Sequence, residues 1–297
     1  MNWSAQMRVG FIGLGRMGEP MATRIAAAGH SVFAYDVLPA KQKLAIPGVS
    51  HCPSAAVAAT GADVVVTSLP GPSEVSDVVL GSGSLRSAIP RSAVLIETST
   101  IAPDLSRTIA SELILREISY LDAPVSGGAR GARDGTLVAM VGGADEALER
   151  ARSIISCFAG SIFHLGPVGA GNTMKLVIQS IFLSQMASFL ESVSLGKRSG
   201  IPLELLLDVV AASSAHHPAI GTRYEKLKSA DLTPLFEIGS AVKDMSLVEE
   251  LWSNLEILPP TLASALAEYR SAAAGGYAGA DLIAVCNWLN DGVSRVE

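Results

Sequence analysis

The chain has 297 residues, of which 49% are hydrophobic and 17% charged, and its net charge is −6. That balance buries a sizeable core and is too poor in charge for a disordered chain; at this length two domains are a better expectation than one. The negative charge and the lack of any basic run of four residues argue against nucleic acid as the main partner. Cys52, Cys157 and Cys286 are scattered and form no CxxC, which argues against a disulfide framework or a thiolate metal site.

The opening "MNWSAQMRVGFIGLG" has no basic segment ahead of its apolar stretch, so neither a secretory signal nor an anchor is expected, and a cytoplasmic location fits best. From residue 7 to 165 come the apolar runs "MRVGFIG", "SVFAYD", "DVVVTSL", "AVLIETS", "SYLDAPV", "LVAMVGG" and "SIFHLG". Stretches such as "PMATRIAAAG" and "DLSRTIASELILRE" separate them with helical spacing. Continuous apolar strands alternating with helices predict a mostly parallel sheet covered on both faces, the doubly wound α/β arrangement.

Between the first run and its helix lies the loop Gly13, Leu14, Gly15, Arg16, Met17, Gly18, in G-x-G-x-x-G spacing. The first glycine makes the tight turn, the second admits a pyrophosphate, and the third packs helix against strand, with the helix N-terminus facing the phosphates. Asp36 ends the second strand, 18 residues beyond Gly18, where an acid binds the ribose 2′-hydroxyl. Its charge would repel a 2′-phosphate, so NAD is expected over NADP, although Lys41 and Lys43 are near enough in sequence to keep NADP possible.

Further along, Ser126, Gly127 and Gly128 offer a hydroxyl and successive N–H groups that suit a carboxylate. The texture then changes. A long helix is expected from about 169 to 198, with Lys175 in its early turns and Gln179 four residues later on the same face. Its apolar run "LVIQSIFLSQMASFL" reads as too short and too polar to cross a bilayer. Helices follow in "PLELLLDVVAAS", "FEIGSAVKDMSLVEELWSNL", "TLASALAEYRSAAAG" and "GADLIAVCNWLND". The expected domains are therefore 1–165, nucleotide-binding, and 166–297, all helical. Lys243 and Asp244 sit side by side near the start of one such helix and, being adjacent, need not pair. His216 and His217 read as loop residues, and the scattered histidines give no metal site.

In order along the chain, "GFIGLGRMGEPMA", "DAPVSGG", "GPVGAGNTMKLVIQ" and "VKDMSL" resemble the β-hydroxyacid dehydrogenase family, which includes 3-hydroxyisobutyrate dehydrogenase and tartronate semialdehyde reductase. The resemblance implies a Rossmann domain, an interdomain helix, and a helical domain that makes a homodimer or homotetramer. It implies Lys175 as the catalytic lysine and Ser126, Gly127 and Gly128 as the loop holding the carboxylate of a small substrate, with Gln179 beside them. It also implies cofactor contacts from Leu69, Pro70, Thr100, Ser99 and Lys243. Two positions depart from the family pattern: Gln179 stands where asparagine is usual, and Glu97 where aspartate is common.

The reaction so implied is hydride transfer between NAD(H) and a small β-hydroxyacid or its semialdehyde, with Lys175 as general acid and base. The alternatives are a γ-hydroxybutyrate- or glyoxylate-type semialdehyde reductase using NADPH, and a dinucleotide-binding sensor without catalysis. Imine reductases share the architecture but generally lack the lysine.

Overall fold

The computed structural model describes residues 6 to 291. The first five residues, part of the stretch read for a leader, lie outside the described residues. Two compact units emerge, one reaching to Lys175 and the other starting at Leu176.

The first unit contains β1 (Arg8–Ile12), β2 (Ser31–Tyr35), β3 (Val49–His51), β4 (Val64–Thr67), β5 (Val94–Glu97) and β6 (Ser119–Asp122). They form one sheet in the order β3-β2-β1-β4-β5-β6, every neighbouring pair parallel. This is the doubly wound order, with its switch between β1 and β4. Val64, Val66, Val94 and Ile96 face a core shared with Met21, Ile25 and Leu148, while Val65 and Leu95 face a second core with Val79, Ile109 and Leu113. Both faces are covered, so these strands read as unbroken apolar runs. Each fully buried valine, leucine or isoleucine contributes roughly 1.5 to 3 kcal/mol.

One expected strand divides. "SYLDAPV" ends its pairing with the main sheet at Asp122, and β7 (Val125–Ser126) begins a separate sheet with β8 (Leu137–Val141) and β9 (Ala159–His164). There β7 runs antiparallel to β8, and β8 parallel to β9. Pro124, which has no N–H to donate to a ladder, stands between β6 and β7. Three of the apolar runs therefore contribute to a small mixed sheet, because periodicity identifies a strand without naming its neighbours. The three-residue β3 was too short to give a pattern.

The helix Ala170–Arg198 has 29 residues. Its most apolar stretch has a mean hydropathy of 1.4, so by length and composition alone, unlike the shorter run read from the sequence, it could cross a bilayer, but 44% of that stretch is buried inside the protein. In the second unit Leu183, Met186, Leu190 and Val193 on this helix are buried, and so are the polar Gln179 and Ser194. Leu203–Ala212, Ile238–Ser253, Pro260–Ala272 and Ala284–Asp291 form where helical periodicity predicted them. Two short helices, Pro218–Gly221 and Tyr224–Ser229, add to these. The second unit is fastened by Asp281. Its carboxylate accepts the N–H groups of Leu235 and Ile283 and lies 3.2 Å from the buried Arg223 guanidinium.

Candidate active site

The glycine loop closes as its spacing requires. Gly13 has φ +96°, and a side chain there would run into the Ser68 carbonyl; one on Gly18 would meet the Gly13 carbonyl. A side chain on Gly15 would meet nothing within 4 Å, so this is the point where a ligand can approach the backbone. Arg16 is exposed and Met17 half-buried at the mouth of the helix Gly18–Ala27, whose N-cap residue, Met17, makes no capping bond with its side chain. Asp36 is buried beside the loop. One carboxylate oxygen accepts the Leu14 N–H at 2.7 Å and the other the Leu38 N–H at 2.8 Å. The acid therefore props the loop and the turn after β2.

The ends of β4 and β5 are stitched together. The Leu69 N–H donates to the Ser99 hydroxyl at 2.8 Å, which ties Leu69, and Pro70 after it, to the Ser99–Thr100 segment. Ser99 is buried and engaged here, whereas Thr100 is half-exposed. Beneath them Glu97, the last residue of β5, is wholly buried. It accepts the Thr67 hydroxyl at 2.6 Å and the Ser99 N–H at 2.7 Å. Burial pushes its carboxyl up to about 7, against the pull of hydrogen bonds from Ser99 and Thr67.

Asp122 ends β6 in register with Glu97 and anchors the start of the long helix. Its two oxygens accept the N–H groups of Gly169 and Asn172, each at 2.8 Å. A helix begins with N–H groups that have no partner of their own, and here a carboxylate from a neighbouring strand supplies it. Burial raises the Asp122 carboxyl, and the backbone bonds hold it down in part. The Asn172 side chain completes the anchor. It accepts the Ile101 N–H at 3.2 Å and donates to Ser106 at 3.1 Å, fixing the helix to the segment just after Thr100.

Lys175 follows within one turn. Only 8% exposed, it extends to β7 and donates to the Val125 carbonyl at 3.0 Å. Val125 precedes Ser126, Gly127 and Gly128, and both glycines have positive φ, +131° and +65°. The lysine and the serine–glycine turn therefore meet inside the first unit. In the second unit Gln179, 4% exposed, donates to an Asp244 oxygen, whose other oxygen is 2.8 Å from the Lys243 ammonium. Lys243 and Asp244 do pair: being sequence neighbours did not keep their side chains apart. His217 caps its own short helix by accepting the Ala219 N–H, and His216 lies 3.3 Å from the Tyr224 hydroxyl.

Sequence reasoning passed over Asp122, Asn172 and Thr67, and gave Asp244 no role. A carboxylate closing a buried apolar strand, as in "SYLD", was the available signal, since burying a charge there calls for partners.

A doubly wound sheet with a glycine turn at its switch point and an acid ending the second strand defines a dinucleotide-binding protein. The NAD-binding domain of 6-phosphogluconate dehydrogenase matches residues 8–166, and the NAD-binding domain of NADP-dependent 3-hydroxyisobutyrate dehydrogenase matches residues 169–289. The chain is 32% identical to 2-(hydroxymethyl)glutarate dehydrogenase of Eubacterium barkeri, over 94% of this chain and 93% of that one. It is 35% identical to NAD-dependent L-serine dehydrogenase of Pseudomonas aeruginosa, over 94% and 96%. The crystal structure of 3-hydroxyisobutyrate dehydrogenase from Salmonella typhimurium superposes with a TM-score of 0.89 at 28% identity, covering 95% of this chain and 99% of that one. The chain belongs to the 3-hydroxyisobutyrate dehydrogenase family: it is an NAD(P)-dependent oxidoreductase that transfers hydride to and from small hydroxyacids.

Proposed function

We propose that Lys175 is the general acid and base of this dehydrogenase, and that the Ser126–Gly127–Gly128 turn holds the carboxylate of its substrate. The observation that carries the reading is the 3.0 Å bond from the Lys175 ammonium to the Val125 carbonyl, which stations the lysine at the start of that turn. As hydride reaches the carbonyl carbon, negative charge grows on its oxygen; the ammonium stabilises it and passes over a proton, and the neutral amine takes the proton back in the reverse direction. The hydride chemistry belongs to the nicotinamide, and this chain supplies position and charge.

The names of the relatives support a narrower reading of the substrate. Serine, 2-(hydroxymethyl)glutarate and 3-hydroxyisobutyrate each carry a hydroxymethyl group on the carbon that bears a carboxylate. The reading here is a 2-substituted 3-hydroxypropanoate, with Gln179 on the substrate side one helical turn beyond Lys175. For the cofactor, Gly13, Leu14, Gly15, Arg16, Met17 and Gly18 take the pyrophosphate, and Asp36 the adenosine ribose. Leu69, Pro70, Ser99 and Thr100 line the nicotinamide side, and Lys243 is the remaining cofactor lysine. NAD is the preferred dinucleotide: Asp36 repels a 2′-phosphate, and the Lys41 ammonium lies 3.3 Å from Glu19. The assembly is a homodimer or homotetramer in the cytoplasm, with neither nucleic acid nor membrane as a partner. Met174, Val177 and Ile181, exposed apolar residues at helical spacing, support self-association.

The test is turnover of NAD and NADP with a panel of short 2-substituted 3-hydroxy acids, for the wild type and Lys175→Ala. Loss of two to four orders of magnitude in kcat is expected, as for a general acid, with NADH binding changed little. Retained turnover in the variant removes Lys175 from the chemistry, and NADH binding without turnover on any acid favours the sensor reading.

A further inference from the structure

The row Thr67, Glu97, Asp122 runs across β4, β5 and β6 at the carboxyl edge of the sheet, each residue in register with the next. Ligands of doubly wound sheets bind beyond that edge. Two carboxyls are buried side by side in this row, and their partners differ in kind. Asp122 faces backbone N–H groups of Gly169 and Asn172, which can only donate. Glu97 faces the Ser99 N–H but also hydroxyls, those of Thr67 and Ser99, which can turn round. The Thr67 hydroxyl has a second acceptor, the Ile96 carbonyl at 3.4 Å.

Of the two, Glu97 is therefore the carboxyl that can take up a proton and keep its bonds. Protonated on the oxygen facing Thr67, it donates to the threonine hydroxyl, which swings its own proton to Ile96. The cost falls on Ser99. Its N–H and hydroxyl then donate to a neutral acceptor, and bonds to an ionised group are roughly twice as strong as neutral ones. Ser99 in turn accepts the Leu69 N–H, so a slackened Ser99 slackens the Leu69–Pro70 segment too.

The geometry points to Glu97 as a proton-linked positioning residue for the dinucleotide: its ionised form draws Ser99 and Leu69 into the arrangement that grips the cofactor, and its neutral form relaxes them. This rests on the reading that Leu69, Pro70, Ser99 and Thr100 line the cofactor. The titratable groups facing Glu97 are Tyr120 and Asp122, both on β6. Burial, with the nearby Glu97 charge, holds the Tyr120 phenol neutral, well above its ordinary range. The Asp122 charge lifts Glu97 further, after burial. Glu97 accordingly titrates at about 7, where a cell's pH can reach it.

NADH binding to the full chain, followed by nicotinamide fluorescence from pH 5.5 to 8.5, tests this. Wild-type affinity should weaken about five-fold on acidification, the equivalent of one lost hydrogen bond, with a midpoint near 7. Glu97→Gln mimics the neutral carboxyl and should bind at the weak, acidic level at every pH. Glu97→Asp keeps a titrating carboxyl one methylene shorter and should keep the pH dependence with its midpoint moved, which decides the matter if the glutamine variant does not fold. A flat wild-type profile, or a glutamine profile overlaying the wild type, overturns the role of Glu97 and leaves the dehydrogenase reading standing. So does an unmoved midpoint in the aspartate variant. No NADH binding at any pH overturns both.

Discussion

Glu97 in the first unit and Glu268 in the second are both buried carboxyls pushed far above their ordinary value, to about 7 and about 8, but they are kept in different company. Glu97 closes a sheet strand and is met by Thr67 and Ser99. Glu268 lies in the helix Pro260–Ala272, and among the described residues neither of its oxygens finds a hydrogen-bond partner. Burial raises it first, and the charge of the exposed Glu191 raises it again. The ends of parallel strands present loop N–H groups and hydroxyls to a buried acid, whereas the interior of a helix has spent its backbone groups on itself. A buried carboxyl at a strand end can thus organise a site, while one in a helical core is held neutral and strains it when charged.

The largest expected effect comes from removing the best-bonded acid. Asp122→Ala leaves two helix-starting N–H groups buried without an acceptor and should cost roughly 2 to 5 kcal/mol in urea unfolding. Turnover should fall at least about ten-fold, because the start of the helix carrying Lys175 loses its anchor. Unchanged stability would mean the carboxylate holds nothing. Glu268→Gln tests the opposite case. A carboxyl raised on folding binds more protons in the native state, so its stabilisation is complete below the ordinary value of 4.5 and is lost as pH rises through about 8. The variant should match the wild type at about pH 4 and exceed it at pH 9 by roughly 2 to 4 kcal/mol. Equal midpoints at both pH values would show Glu268 to be hydrated.

Glu97→Gln should show the same sign over a narrower window, ending near 7. A gain of roughly 1 to 3 kcal/mol at pH 9 is expected in urea unfolding, smaller because hydroxyl and amide donors already serve the charge. Similar in size but confined to substrate choice, Gln179→Asn introduces the asparagine expected from the family resemblance and shortens the reach to Asp244. It should redistribute kcat/KM among acids differing by a methylene by about 1 to 3 kcal/mol, read from the ratio for two such substrates. An unchanged ratio would take Gln179 out of substrate choice.

Much of the glycine turn was legible because its rules are local. Gly13 needs a positive φ and Gly18 needs no side chain, and both needs are written in the spacing of three glycines. Lys175 and Ser126 could be picked out singly, but nothing in their separation of 49 positions says that the lysine reaches the carbonyl just before the serine. The Pro124 break that creates β7 was in plain view, yet a proline marks an end to pairing without saying which sheet takes the chain next.

The sequence by itself determined the doubly wound unit, the glycine turn and the long helix, since glycine turns, apolar periodicity and buried strands depend on neighbours a few positions away. Tertiary structure alone decided that Asp122 anchors the helix of Lys175, that Glu97 braces Ser99, and that Glu268 finds no hydrogen-bond partner among the described residues. Each of these depends on which strand or helix lies alongside, and a buried charge takes its behaviour from the groups brought against it, however distant in the chain.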